Sequence, residues 1–351
     1  MALIHKEVKA GQRCECSATL SRVAVPPTVD KGILRMSPAD LVRLGSVKTI
    51  QLRLESYGNL SPEFSFRAII CKYAATPPPS ILDITTLPPG VDVILFPACP
   101  LEWELPRLSL GWHCFRYTRP WTNFIVQLHG TFEDYWNCFC SKTRSTIRRK
   151  EHKLAETFGA VEYRQFRSRD EMAEFYSLAR RVKLDEFSRR ALGNVIPEER
   201  SFFEDMRDRA SLDQVRGYIM RVNGEPISYL YCIASGDALL HELSGYDSEF
   251  ARCSPGVLLQ RYALQQLFAE RTFSAFDFSS GGGQHKSFFS TDFMKRAHVY
   301  FFRKTPRALA IVSFMLGLGY GMDTSRAAIR ALHLESGARR LVRWAAARWA
   351  A

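Results

Sequence analysis

The chain has 351 residues, of which 46% are hydrophobic and 24% charged, and a formal net charge of +12. This is the make-up of a soluble globular protein, long enough for one large domain or two ordinary ones around a sizeable core. The positive excess calls for a polyanionic partner: nucleic acid, a phosphorylated cofactor, an acidic carrier protein or an anionic membrane surface. The opening MALIHKEVKAGQRCE lacks the uninterrupted apolar stretch of a signal peptide. Nine cysteines, with no C-x-x-C pair, speak against a disulfide framework, and Cys14 with Cys16, or Cys138 with Cys140, stand too close for easy metal chelation. A reduced, cytoplasmic protein is expected, its cysteines mostly core fillers.

Prolines punctuate the first 120 residues at 25–27, 76–80 and 87–90, and TIQLRLE (49–55), FSFRAIICKY (64–73) and VDVILF (91–96) read as strands between them. One short helix is expected at 38–44. The character changes near Trp121. The strand TNFIVQL leads into a long helix that Thr131 can cap and Gly159 can end. The strand AVEYRQF follows, then a helix opening on the capping box Ser168–Glu171, and more helix at 198–209. VRGYIMRV, PISYLYCIA and ALLHELSGYD make an antiparallel group, its first turn marked by Asn223-Gly224. SPGVLLQRYALQQLFAER reads as a helix with Pro255 in its first turn. SAFDFS and AHVYFFRK are the last strands, and the segment after Pro306 is helical. The order predicts an α+β fold with a mixed central sheet flanked by helices.

Two runs concentrate the charge. KTRSTIRRKEHK (142–153) holds six Lys or Arg against one Glu, and in the tail Arg326, Arg330, Arg339, Arg340, Arg343 and Arg348 outnumber Asp323 and Glu335. Each run reads equally as a binding surface or a solvated helix face. The glycines of FDFSSGGGQHKSFFS (276–290) form neither a P-loop, since His285 stands where glycine must precede the lysine, nor a G-x-G-x-x-G dinucleotide turn. No helix-turn-helix or zinc pattern points to DNA.

The junction LHELSGYDSEFARCSPGVLLQRYA is the informative unit: a strand, a polar turn and a helix that opens at Ser254-Pro255-Gly256. Free N–H groups at such a start suit a phosphate or polarised carbonyl, with Ser254 as the cap and Gly256 permitting close approach, although most helix starts serve no ligand. This junction, the basic helix YWNCFCSKTRSTIRRKEHKL with GAVEY after it, and FDFSSGGGQHKSFFS together resemble the GNAT superfamily, and more closely its Fem-like branch, which includes cellulose-biosynthesis-associated acetyltransferases. The resemblance runs from about Trp121 to Lys304. It implies tandem GNAT-like halves with a degenerate first half: a β-rich domain at 1–120, the acyltransferase domain at 121–305 and a basic helical tail at 306–351.

The resemblance further implies acyl transfer from a thioester, acyl-CoA first, to an amine of a small molecule or peptide. The donor arm is expected along the strand ending at Tyr246, splayed from its neighbour, with its phosphates over Arg252, Ser254, Pro255 and Gly256. The usual GNAT phosphate loop has more glycines and a Gln/Arg lead, so an acyl-carrier-protein thioester or an aminoacyl-tRNA stays open as the donor, and so does a non-catalytic binding module. No metal is expected. Strand alternation puts Leu240, Glu242 and Ser244 on one face and His241 and Leu243 on the other. Glu242 is the preferred base, ahead of His241. Asp277 is a site carboxylate or an organiser of the glycine loop, and Lys286 and, less strongly, His285 are candidates for holding an acidic substrate group or a donor phosphate. Tyr246 and Tyr262 are candidate proton donors to the thiolate, with packing as the alternative. Cys253 as an acyl-carrying nucleophile is a weak reading, having no histidine neighbour. The run 308–322 is short for a membrane span; with the tail's tryptophans it reads as an interfacial anchor or, preferably, as helices packed on the domain.

Overall fold

Between the prolines of the first part, alternating apolar and polar side chains make strands. The computed structural model describes residues 34–35, 45–52, 64–71, 82–84, 86–101, 106–111, 113–184, 195–279 and 284–331. The strands are β1 (Leu34–Arg35), β2 (Gly45–Leu52), β3 (Phe64–Cys71), β4 (Leu82–Asp83), β5 (Val93–Pro100), β6 (Leu108–Leu110) and β7 (Cys114–Gln127). Then come α1 (Phe132–Asn137), α2 (Ser141–Phe158), β8 (Val161–Phe166), α3 (Arg169–Arg181) and α4 (Arg200–Ser211). The hairpins β9 (Val215–Val222), β10 (Glu225–Ser235) and β11 (Ala238–Tyr246) lead through a 3-10 turn (Ser248–Cys253) into α5 (Pro255–Glu270). The last elements are β12 (Ala275–Asp277), α6 (Gln284–Phe289), β13 (Asp292–Arg303) and α7 (Pro306–Ala331). The helix expected at 38–44, the glycines 281–283, the His285 side chain and the tail beyond 331 lie outside the described residues.

The described residues form two compact units, one drawn from Phe124–Phe293 and one from Ser21–Asn123 with Met294–Ala345. In the second, β3 pairs antiparallel with β2 and parallel with β5, and β5 pairs antiparallel with β13. One face of these strands packs Phe66, Phe115, Tyr117 and Phe302 onto α7, whose Ala308, Val312 and Met315 recur at helical spacing. Strand β7 starts at Cys114, well before the expected boundary, and carries Pro120 within it. Pro120 is exposed, as a residue without a backbone N–H must be to sit in a strand.

In the first unit the sheet order is β8, β9, β10, β11, β12 and the end of β7. Asn223 and Gly224, with φ of 49° and 82°, give the left-handed pair of residues that a tight hairpin turn needs. Helices α3 and α4 cover one face, burying Met172, Phe175 and Met206 against Tyr229 and Tyr231. The other face takes α1, α2 and α5, with Trp136, Ile147, Leu258 and Leu264 around Tyr218 and Leu230. Arg216 is wholly buried; it donates to Asp213 Oδ1 at 2.9 Å and to the Glu270 carboxylate, which fastens the end of α5 to β9. A buried charge of this kind is tolerable only because it is paired.

One expected element is corrected. The helix capped by Thr131 and ended at Gly159 is two helices, broken at Cys138–Cys140. Phe139 is the reason: it is 5% exposed, with its ring 5.2 Å from Trp136 and 5.3 Å from Phe288. Burying it turns the backbone out of the helix, and Cys140, extended with ψ of 152°, starts the next one.

Candidate functional site

Three residue pairs join β11 to β12 in parallel, the last being Leu240 with Asp277. Beyond it β11 continues to Tyr246, whereas Phe278 leaves to donate its N–H to the Phe124 carbonyl at 3.0 Å. The two strands therefore part and open a wedge. Its floor is tied by short polar bonds. Ser279, left-handed with φ of 57°, donates its hydroxyl to the His241 carbonyl at 2.9 Å and its N–H to Asp277 Oδ1 at 2.6 Å.

Lys286, on α6, donates from Nζ to the Phe278 carbonyl at 2.7 Å. Burial draws its ammonium below the usual lysine value, partly offset by the Asp277 carboxylate. Tyr135 holds the end of α6 by donating to the Phe289 carbonyl at 2.7 Å. Asp277, Lys286 and His241 are thus brought together, and Asp277, 3% exposed, organises the turn at Ser279.

The expected alternation along β11 is overturned by a β-bulge. Tyr231 faces Leu243 and Cys232 faces His241, which leaves Glu242 as the extra residue. Leu243 packs with the α3/α4 cluster, and the His241 ring lies 6.2 Å from both Phe276 and Phe278 on the other side. Glu242 as a residue is open to solvent, yet the protein packed about its carboxyl partly desolvates that group and raises it above the ordinary range, outweighing the opposite pull of the Arg209 guanidinium.

At the far end of β11, Asp247 caps the 3-10 turn by accepting from the Glu249 N–H at 3.0 Å. Ser254 follows with φ of 55°, and Pro255 takes the first position of α5. Ser254 does not cap: its side chain makes no bond to the helix and instead accepts from Lys150 Nζ of α2 at 2.8 Å. The left-handed backbone at Ser254 ends the 3-10 turn and starts the helix in one residue, which turns the hydroxyl away from the N–H groups of α5. Arg252 and Gly256 are exposed, and a Cβ on Gly256 would meet Tyr246 Cδ1 at an ordinary 3.7 Å.

Two further candidates stand apart. Tyr262 stacks on Tyr163 at 5.0 Å and meets Tyr218 edge-on at 6.4 Å, and burial raises its phenol. These contacts are with β8 and β9 and make it a packing residue. Cys253 is 2% exposed in the core, which denies a ligand its sulfur. Sequence reasoning missed Lys150 as a neighbour of Ser254. Its signal was a lysine in the stripe Thr143, Ile147, Lys150, Leu154, where the helix period reserves places for packed side chains. An open concavity of this unit lies at the other end of the β11–β12 pair, lined by His129, Thr131, Asp237, Arg271 and Ser274, and holds none of the candidates.

Residues 141–287, which include the wedge and the junction, match the family model described as acetyltransferase (GNAT) domain. That stretch belongs to the GNAT family. Among solved structures the chain is similar to FemX, at 11% identity over 54% of this chain and 62% of that one, with a TM-score of 0.38. It is similar to L-PGS from Bacillus licheniformis at 12% identity, covering 57% of this chain and 65% of that one, with a TM-score of 0.34. It is similar to AAC(6')-Iy in complex with the bisubstrate analog CoA-S-monomethyl-acetylneamine at 12% identity, covering 35% and 83%, with a TM-score of 0.26. The chain thus spans less than two thirds of the FemX and L-PGS chains. No curated protein matches it. No helix among the described residues is long and apolar enough to cross a membrane.

Proposed function

We propose that the chain is an N-acyltransferase that moves an acyl group from acyl-CoA to the amine of a small molecule or peptide. The observation that carries this reading is the parting of β11 from β12 after Leu240 and Asp277, within a GNAT domain. A strand edge released from its ladder offers backbone N–H and C=O groups to an extended, amide-bearing thioester arm. The arm's acyl end would lie near the bulge and its phosphates near Tyr246, Arg252 and the Ser254–Gly256 turn.

The neutral amine attacks the thioester carbon, a C–N bond forms and the C–S bond breaks. Glu242 takes the proton that the nitrogen sheds, and a proton from solvent neutralises the departing thiolate. A carboxyl held above its ordinary range is a stronger base than a free carboxylate, which suits Glu242 to the task. Asp277 and Lys286 hold the floor of the wedge through Ser279 and Phe278, and Ser279 in turn ties it to the His241 carbonyl. A second reading, with aminoacyl-tRNA as the donor, is favoured by the exposed Arg148, Arg149 and Lys153 of α2, a helix that also touches the junction.

Native mass spectrometry of the full chain with acetyl-CoA, long-chain acyl-CoA and charged tRNA, followed by an amine panel, tests this. A CoA complex that yields amide product is the expected result. CoA bound without turnover makes the protein a binding module, and tRNA bound in place of CoA overturns the donor.

A further inference from the structure

Helix α7 carries no charged residue from Ala308 to Met322. Its packed side is accounted for: Ala308, Val312 and Met315 are buried on the strand face of Phe66, Phe115 and Phe302. The other side is open. Ala310, Ser313, Phe314, Gly317, Tyr320 and Gly321 are all exposed, Phe314 at 49% and Tyr320 at 57%. A surface helix normally turns charged side chains to water on such a face, and here about four successive turns offer none. Phe314 meets Phe64 edge-on at 6.5 Å and Tyr320 lies against the Arg107 guanidinium at 5.3 Å, contacts that leave both rings half in solvent. Leu110 of β6, also exposed, shares the strand face of Leu108, which packs on the same cluster. Three of the six large apolar side chains exposed among the described residues thus belong to this one side of the unit.

Cations stand at both ends of the uncharged run. Lys304 and Arg307, both exposed, precede it; they donate to the carbonyls of Gly111 at 3.4 Å and Ser65 at 3.1 Å, and neither pairs with a carboxylate among the described residues. Arg326 and Arg330 follow within α7, where Asp323 is the one acid, and the sequence beyond adds four arginines, Trp344 and Trp349 against Glu335 alone.

An apolar face with aromatic side chains, bounded by cations, complements a bilayer surface of anionic lipid. Its rings can enter the headgroup boundary while the cations meet lipid phosphates. A second copy of the chain is the poorer match, because each copy carries +12 and pairing the faces would set cation against cation at their ends.

We propose that the outer face of α7 is a docking surface for an anionic membrane, on which the protein lies without crossing it. The face belongs to the second unit, and the inference stands whichever donor and acceptor the GNAT domain takes.

The test is flotation of the full chain with vesicles of phosphatidylcholine alone and of phosphatidylcholine with one third phosphatidylglycerol. Wild type is expected to bind the anionic vesicles at least tenfold more tightly than the neutral ones, since each cation near such a surface is worth about a fivefold gain. Joint substitution Phe314→Ser and Tyr320→Ser is expected to lower affinity for the anionic vesicles about tenfold, by removing the apolar contact while every cation stays. Tyr320→Ser alone, at the more exposed of the two positions, should disturb packing least and shift affinity the same way by a smaller factor, which keeps the test open if the double variant fails to fold.

Anionic-vesicle binding by these variants equal to that of wild type overturns the role of α7, because the attraction then comes from basic residues elsewhere. So does a wild type that floats with neither vesicle, whether native mass spectrometry finds it monomeric or finds a dimer that the same substitutions split.

Discussion

The Ser279 hydroxyl donates to the His241 carbonyl at 2.9 Å while the same residue's N–H reaches Asp277 Oδ1 at 2.6 Å, so one left-handed serine ties both sides of the wedge floor. Ser279→Ala loses the hydroxyl bond but keeps the φ of 57°, and is expected to cost about 1 kcal/mol. Ser279→Gly loses the same bond and escapes the left-handed penalty, which is about 1–2 kcal/mol for a residue with a Cβ. Stability by urea unfolding should therefore place the glycine variant above the alanine variant, and the reverse order would refute this account of the turn.

Glu242→Gln should lower kcat/KM by about a hundredfold to ten-thousandfold, the usual worth of a general base, with CoA affinity near that of wild type. Because the carboxyl of Glu242 is raised, the active carboxylate form appears only above the ordinary carboxylate range, and the rate should climb with pH through that raised value. Glu242→Gln should lack this limb. A variant that keeps it points to another base.

Lys286 carries a pH dependence of stability. Its folded value lies below 10.5 because of burial, so between the two values the unfolded chain binds more protons than the folded one. Stability contributed through this group is then present above 10.5 and lost as pH falls through the folded value. The unfolding free energy of wild type, relative to Lys286→Met, should rise as the pH approaches 10.5. Thermal midpoints of both proteins across that range give the comparison, and a flat difference would place the ammonium in solvent.

The thiols should separate by reactivity. Burial pushes Cys71 up to about 11 and Cys99 up to about 12, whereas hydrogen bonding from Thr143 and the start of α2 lowers Cys140. Brief alkylation at pH 8, mapped by mass spectrometry, should mark Cys140 and the exposed Cys138 and spare Cys71 and Cys99. Thr143→Val should slow labelling of Cys140 and leave Cys138 as it was. Early labelling of Cys99 would contradict the packing of β5.

Much of the GNAT domain was legible in the sequence because local signals there agree with the fold. Asn223-Gly224, the capping box at Ser168 and Pro255 each act over a few residues, and each does in the structure what its chemistry requires. The failures have a common cause in contacts distant along the chain. The helix breaks at Phe139 because α6, some 150 residues later, offers Phe288 to pack against. The faces of β11 shift because β10 skips Glu242, which no pattern within ALLHELSGY announces. Ser254 looks like a cap until its backbone is left-handed, a demand set by the turn before it. The pairing of Lys150 with Ser254 crosses 104 positions, and only the misplaced lysine in the α2 stripe hinted at it.

The chain enters the GNAT unit within β7 and leaves it within β13. During synthesis, every strand and helix of that unit is made before residues 294–303 emerge, although nearly all the other unit's strands come first. Until they do, β5 lacks the partner that pairs Val93 with Phe302 and Phe96 with Val299, and its edge stays open. The domain encoded second can thus finish first, while the half-built earlier one waits with an apolar strand edge exposed. For a nascent chain that interval is the period of greatest risk of aggregation.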